Sequence, residues 1–267
     1  MKVANKVIVV TGAGSGMGRE LTLELVRRGA KVAAVDMRAE SLTETAKLVA
    51  ELGGTISTHA MDITDAKAVD ALPAAVKKAL GDIDGLINNA GIIQPFVKIN
   101  DLDFAAAEHV MNVNFYGPLR LIKAFLPKLL ARPEAHILNV SSMGAYAPVP
   151  GQSIYGASKA ALKLMTEGLR SELLDTNIGV TVVFPGATAT NIAQNSGMAV
   201  PAAGSAEASQ FTQTPADEAA RKMIDAIESN TPRITTGQDA RTMDILTRLN
   251  PVWAAGVIYK QMKSLLG

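Results

Sequence analysis

Tyr155 and Lys159, in Y-G-A-S-K, stand four residues apart in a segment of helical periodicity, so a phenol and an ammonium project from one helix face. An ammonium beside a phenol favours the phenolate. At about 5 Å and an effective dielectric near 20, one charge is worth roughly 3 kcal/mol, enough to bring the phenol's ionisation toward neutral pH and make a proton shuttle. Spacing alone is a weak signal, because any surface helix can carry Y-x-x-x-K. Context sharpens it: Ser142 ends a strand candidate in N-V-S-S-M-G, at the carboxyl edge where α/β sheets place their ligands, and its hydroxyl can orient a substrate oxygen. Asn114 joins them through Pro118 in N-F-Y-G-P. Proline has no N–H to meet the Asn114 carbonyl, which leaves that oxygen free to hold a water linking Lys159 to solvent, or, in the plainer reading, only kinks the helix.

A second group of residues suits binding. T-G-A-G-S-G-M-G, Thr11 to Gly18, follows a strand candidate and runs into a helix whose free N–H groups can hold a pyrophosphate. It fails G-x-G-x-x-G, since Met17 stands where the third glycine belongs after Gly12 and Gly14. It fails the P-loop, having no Gly-Lys-Ser/Thr, and it fits T-G-x-x-x-G-x-G. An isolated glycine loop can be no more than a tight turn, but the strand before and the helix after argue for a dinucleotide. Asp36 ends the second strand about 20 residues beyond the loop, where a carboxylate accepts from the adenosine ribose hydroxyls and repels a 2′-phosphate. Ser15 occupies a place where a basic residue would grip that phosphate, so NAD is favoured over NADP. Arg38 dissents: it can swing toward a phosphate, unless it is a solvated charge at a helix start.

Positioning these residues requires alternating elements. Strand candidates are Val7 to Val10, Lys31 to Val35, Thr55 to Ala60, Gly85 to Ile87, His136 to Val140, Val180 to Phe184 and Arg233 to Thr236. Helix candidates begin near Met17, closing at Gly29, with a second closing at Gly53 and Gly54. Others cover roughly Asp65 to Leu80, Asp103 to Leu130, Ser153 to Thr176 and Pro215 to Ser229. Repeated βαβ units without a linker predict one α/β domain over 1–267 with a parallel sheet. The stretch of about 191–214 is rich in Ala, Ser, Gly and Gln and lacks periodicity, so it reads as a lid over the substrate or a variable surface loop. It offers Ile192, Met198, Val200 and Phe211 and no basic residue, which suits a hydrophobic or neutral substrate.

The tail of about 239–267 places Ala255, Ile258, Tyr259, Met262, Leu265 and Leu266 at helical spacing from Pro251, as an amphipathic helix. Packing between copies is the favoured use of this helix and of Trp253. Arg241, Arg248, Lys260 and Lys263 against Asp239 and Asp244 leave too small a positive excess to argue membrane binding.

Composition removes whole classes. With 26 basic against 25 acidic residues, a net charge of +1 and 4% aromatics, nucleic acid is a poor partner. The absence of cysteine removes disulfides, thiol nucleophiles and thiolate metal sites, and the cytoplasm is the expected compartment. The N-terminal apolar run stops at Val10 without a small-residue cleavage site, and no window approaches the roughly 18 apolar residues of a spanning helix. His59, His109 and His136 are scattered without metal-ligand spacing and read as structural, so no metal is expected. The Ser15 surroundings lack the G-x-S-x-G register of a hydrolase, and the 11 methionines read as core filler.

The ordered set TGAGSGMG, Asp62, NNAG at Asn88 to Gly91, Asn114, Ser142, YGASK and PGATAT resembles the short-chain dehydrogenase/reductase family over about residues 5 to 190. The resemblance implies a Rossmann-like doubly wound sheet of seven parallel strands in order 3-2-1-4-5-6-7. It implies a dinucleotide held by Gly12, Ser15, Gly16, Met17, Gly18 and Asp36, with Asp62 and Ile63 bordering the adenine. Asn89, Ala90 and Gly91 would lie beside the cofactor, and Pro185, Gly186, Thr188 and Thr190 would embrace the nicotinamide. Thr188 departs from the aliphatic residue more usual there. By the same resemblance Tyr155 is the general acid/base, Ser142 positions the carbonyl, Lys159 binds the nicotinamide ribose and lowers the Tyr155 pKa, and Asn114 belongs to a proton relay. The implied reaction is hydride transfer between NAD(H) and a hydrophobic secondary alcohol or ketone, in a homodimer or homotetramer. Alternatives are an NADP-dependent ketoreductase and a regulatory NAD-binding protein without turnover. An enoyl reductase is disfavoured, because it usually spaces its tyrosine and lysine further apart.

Overall fold

Along β1 (Val7–Thr11) every residue is buried, with Ile8 and Val10 facing one helix layer and Val7 and Val9 the other, as the two-residue period of a strand covered on both faces requires. The computed structural model describes residues 1–190, 192–196 and 213–263. The other strands are β2 (Lys31–Asp36), β3 (Thr55–Ala60), β4 (Gly85–Asn88), β5 (Ala135–Val140), β6 (Ile178–Pro185) and β7 (Arg233–Thr236). They form one seven-stranded sheet in the order β3-β2-β1-β4-β5-β6-β7, all pairs parallel. The fold expected from the sequence is therefore the one observed. The order reverses between β1 and β4, so a crevice opens at their carboxyl ends, Thr11 and Asn88.

Helices α1 (Gly16–Arg27) and α2 (Ala39–Glu51) cover one face together with α8 (Ala216–Glu228), burying Leu21, Leu25, Leu42, Met223 and Ile224 against it. The opposite layer contains α3 (Ala66–Leu80), α5 (Gly117–Leu130) and α6 (Ser153–Glu172), with Leu72, Leu121, Phe125 and Leu169 inward. α3 starts where the Asp65 carboxylate accepts from the Lys67 and Ala68 N–H groups, and ends with Lys77 and Lys78 in its last turn, an arrangement that complements the helix dipole at both ends.

Two expectations need correction. The stretch from Asp103 to Leu130 is not one α-helix: α4 (Phe104–Met111) passes into a π-helical turn, Asn112–Tyr116, closed by the Gly117 N–H donating to the Asn112 carbonyl, before α5 begins. Pro118 in the first turn of α5 removes a donor that a regular helix would use, and a wider turn redistributes the bonds. The tail contains α9 (Gln238–Leu249) and, from Pro251, α10 (Pro251–Met262), and Asn250 between them accepts from the Trp253 N–H with its side chain and caps α10. Only Ala254 and Ile258 of α10 are buried, while Val252, Trp253 and Tyr259 are exposed, which is less amphipathic than the spacing suggested. Most of the expected lid lies outside the described residues, as do Leu265 and Leu266. The described parts of the lid are a short turn, α7 (Ile192–Asn195), with Ser196, and its last two residues, where Thr214 pairs with Thr188. Among the described residues no helix is long and apolar enough to cross a membrane.

His136 of β5 is buried in the space that Gly179 leaves open. The Thr181 hydroxyl donates to the Thr231 carbonyl, so at 2.9 Å it must accept from His136 Nε2, which fixes a neutral tautomer protonated there. Burial, aided by the N-terminal ammonium and Arg170, pushes this imidazole down to about 3. The unfolded chain protonates it near its ordinary value of 6.5, so between those limits the unfolded state binds the extra proton and stability falls as pH drops. The expected slope approaches one proton, about 1.4 kcal/mol per pH unit. Urea unfolding from pH 7 to 4 should therefore show a shallower pH dependence, by about one proton, for His136→Gln than for the natural chain. Equal slopes would remove His136 as the cause.

Candidate active site

Thr11 ends β1 and stitches the crevice together: its hydroxyl accepts from the Asn89 and Ala90 N–H groups, both at 3.0 Å, while its carbonyl accepts from Asn89 Nδ2. The glycine loop that follows folds tightly because side chains would not fit. A Cβ on Gly18 would collide with the Gly12 carbonyl, and Gly12 and Gly16 have φ of 67° and 50°, where a side chain is strained. Arg19 holds the loop from outside, donating from Nη2 to the Gly14 carbonyl at 2.6 Å.

Between this loop and the ends of β2 and β4 lies a cleft of about 670 Å³. Gly12, Ser15, Gly16, Met17 and Gly18 form one wall, with Asp36, Asp62 and Ile63 along the adjoining edge and Asn89, Ala90, Gly91 and Thr190 at the far end. The residues fit a dinucleotide. The cleft begins at the N-terminus of α1, the glycines leave room for a close backbone approach, and the buried Asn89 Oδ1 has no partner among the described residues. Pro185, Gly186 and Thr188, like Asn114, Ser142, Tyr155 and Lys159, are not among the cleft's walls. Thr190 reaches across so that a Cβ on Gly16 would come within 3.2 Å of it.

The Asp36 edge of the cleft is more engaged than the sequence suggests. Asp36 is 8% exposed; one carboxylate oxygen accepts from the Gly14 N–H and the other from the Arg38 N–H, each at 3.0 Å. Arg38 is not simply a solvated helix-start charge: Nη2 donates to Ser15 Oγ at 3.2 Å, Nε lies 3.8 Å from Asp36, and the side chain lines the cleft.

The reactive candidates meet behind the far end. A Cβ on Gly91 would lie 3.0 Å from Lys159 Nζ and 3.2 Å from Asn114 Oδ1, which places both side chains against a residue of the cleft wall. The Tyr155 ring and Ser142 Oγ meet at Gly144, where a Cβ would lie 3.3 and 3.4 Å from them, and Ser142 Oγ accepts from the Gly144 N–H at 3.0 Å. Lys159 Nζ donates to the Val140 carbonyl at 3.1 Å. The phenol lowered by its lysine is not what the structure contains. Burial, the larger influence, pushes Tyr155 up and the Ser142 hydroxyl pulls against it, while burial pushes Lys159 down to about 8. Asn114 spends its side chain on structure, accepting from the Ile92 N–H and donating to the Ile92 carbonyl and Ser158 Oγ.

One residue escaped the sequence reading. Gln94, fully buried, accepts with Oε1 from the Ile154 and Tyr155 N–H groups at 2.8 and 2.9 Å and donates with Nε2 to the Gly151 carbonyl. It caps α6 from a loop about sixty residues away, so no local pattern announces it. The apolar lining of Ile92, Ile93, Pro95, Val110, Val113 and Ile192 was also not foreseen, apart from Ile192. His109 stands exposed at the cleft edge, and among the described residues no cluster could hold a metal.

Residues 6–201 match the family described as short chain dehydrogenase. The chain is 34% identical over 250 residues to SadH of Mycobacterium tuberculosis, named as an oxidoreductase, covering 91% of this chain and 90% of that one. A short chain dehydrogenase/reductase from Burkholderia phymatum, solved in complex with NAD, superposes with a TM-score of 0.83 at 25% identity, covering 93% of this chain and 96% of that one. A short chain dehydrogenase from Burkholderia cenocepacia, solved in complex with NADP, gives 0.81 at 29% identity, covering 97% and 99%.

Proposed function

Since the chain belongs to the short-chain dehydrogenase/reductase family of oxidoreductases, we propose that it interconverts a hydrophobic secondary alcohol and its ketone, with NAD(H) as the partner and Tyr155 as the proton carrier. The observation that carries this reading is the meeting of Tyr155 and Ser142 at Gly144, with Lys159 against the Gly91 wall of a cleft whose residues fit a dinucleotide. When bound there, the nicotinamide supplies or accepts the hydride.

The chain's own residues do the rest. Gly12, Gly16 and Gly18 admit the pyrophosphate to the α1 N-terminus, Asp36 meets the adenosine ribose, and Pro185 to Thr190 lie toward the nicotinamide end. Ser142 holds the substrate oxygen and Tyr155 gives it a proton in reduction or takes one in oxidation. A phenol pushed up by burial stays in its protonated, donor form at neutral pH. Lys159, whose Nζ lies against Gly91 of the cleft wall, holds the nicotinamide ribose. The apolar lining between Ile92 and Val113 favours a neutral, hydrophobic substrate over an anion.

A second cofactor reading rests on Arg38, which lines the adenosine end and would meet a 2′-phosphate, making the chain an NADP-dependent reductase. Isothermal titration with NADH and NADPH, followed by absorbance at the reduced-nicotinamide band against hydrophobic ketones, separates the readings. Tighter NADH binding and ketone-dependent NADH loss are expected. Tighter NADPH binding would favour the Arg38 reading, and NADH binding with no turnover of any ketone would favour a regulatory role.

A further inference from the structure

The family match ends at residue 201, yet the segment just after β6 is held by a residue far beyond it. Asp239, in the first turn of α9, accepts from the Ala187 N–H with Oδ2 at 2.7 Å. Its carboxylate lies in a slot between two glycines: a Cβ on Gly186 or on Gly237 would collide with it. The next residue makes a second tie, because the Ala240 carbonyl accepts from the Tyr146 hydroxyl at 2.8 Å, and Tyr146 ends the short turn that Ser142 begins. One helix turn thus ties the loops at the carboxyl ends of β5 and β6, the Ser142 loop and the Gly186–Thr190 segment. That segment is further fixed by Thr214, which accepts from the Ala189 N–H and donates to the Ala187 carbonyl, and it ends at Thr190 on the cleft wall.

We propose that Asp239 is a positioning residue for the reacting end of the cofactor cleft, setting the Gly186–Thr190 segment through the Ala187 N–H. The inference rests on the dinucleotide reading above and extends it by making α9 part of the site. The carboxylate touches no reacting atom; its effect passes through backbone geometry. A charged acceptor bonded to a backbone N–H makes one of the stronger hydrogen bonds in a protein. Removing it leaves the Ala187 donor without this acceptor, while among the described residues the segment keeps its backbone bonds to Thr214 and to the Thr236 carbonyl.

The test compares Asp239→Ala, Asp239→Asn and Gly186→Ala with the natural chain by NADH titration and steady-state kinetics. Asp239→Ala is expected to raise the NADH Kd and KM about tenfold while kcat stays within about threefold. Asp239→Asn keeps an oxygen acceptor at the same reach and should restore binding to within about threefold. Gly186→Ala drives a methyl into the carboxylate and should reproduce the rise without touching Asp239, which keeps the question open to test if Asp239→Ala does not fold. A merely structural role would lower melting temperature and the active fraction, leaving the NADH KM of the folded enzyme unchanged, and that result overturns the inference. A natural chain that binds NADH normally beside an Asp239→Ala variant of equal Kd and KM overturns it alone. A natural chain that binds neither NADH nor NADPH overturns the functional reading, and this inference with it.

Discussion

Replacing Tyr155 by Phe is expected to cut ketone reduction by about a thousandfold while NADH affinity changes by no more than about threefold, the signature of a lost proton donor at an intact binding site. The ring keeps its place beside Gly144, and the N–H of residue 155 still donates to Gln94, so the start of α6 should not move. What disappears is the hydroxyl beside Ser142. A serine hydroxyl is too weak an acid to replace it, and Lys159, with its ammonium turned to the Val140 carbonyl, is aimed elsewhere. The direction of the pH dependence follows from burial raising the phenol. Oxidation needs the phenolate and should speed up as pH rises, whereas reduction needs the phenol and should slow as pH passes its ionisation. Single-turnover absorbance with preformed NADH complex separates chemistry from binding, and an equal single-turnover rate in Tyr155→Phe would remove the acid/base role.

The second large effect is a change of cofactor. In Asp36→Asn the side chain keeps an oxygen for the Gly14 N–H, so the glycine loop should hold, but the negative charge is gone. At about 5 Å and an effective dielectric near 20, a carboxylate opposing a 2′-phosphate costs roughly 3 kcal/mol per unit charge, or about two orders of magnitude in affinity. Arg38, released from a carboxylate 3.8 Å away, is then available to the phosphate. The ratio of NADPH to NADH affinity should rise about a hundredfold. Adding Arg38→Ala to Asp36→Asn should withdraw most of that gain, since the attraction leaves with the guanidinium. If titration gives the same ratio for Asp36→Asn as for the natural chain, Asp36 does not select the cofactor.

How far the sequence foretold this molecule depends on whether the signal was local. Thr55–Ala60 and Arg233–Thr236 coincide with the strands read from β-branched runs, and the sheet order follows once βαβ units repeat. The glycine loop and Asp36 were legible because their geometry is written into neighbouring residues. The π turn was not: Val110, Leu121 and Phe125 keep a helical period across it, and what holds its Asn114 is Ile92, on another segment. The helix read from Pro251 starts where α10 starts, at an Asn-Pro pair, whereas α9 before it was not read. The Tyr155–Lys159 spacing gave proximity correctly but not the direction of the ammonium, which a strand carbonyl decides. Gln94 and Asp239 act on backbone groups about sixty and fifty residues away in sequence, beyond the reach of any spacing argument.

The π turn also restricts how this chain can tolerate changes of length. A turn of that kind contains one residue more than an α-turn, and each residue of a regular helix advances the chain by about 100°. Leu121 and Phe125 anchor the phase of α5 in the core. Deleting a single residue between Asn112 and Tyr116 would relax the turn into ordinary helix and nearly keep the phase of α4 relative to α5, whereas the same deletion elsewhere in either helix would rotate one against the other by about that angle. Val110, which lines the cleft, would keep its place, but Asn114 would lose its facing at Ile92. Insertions and deletions are usually borne by loops; here a place that can take a change of length lies inside a helix, at the expense of the asparagine it holds.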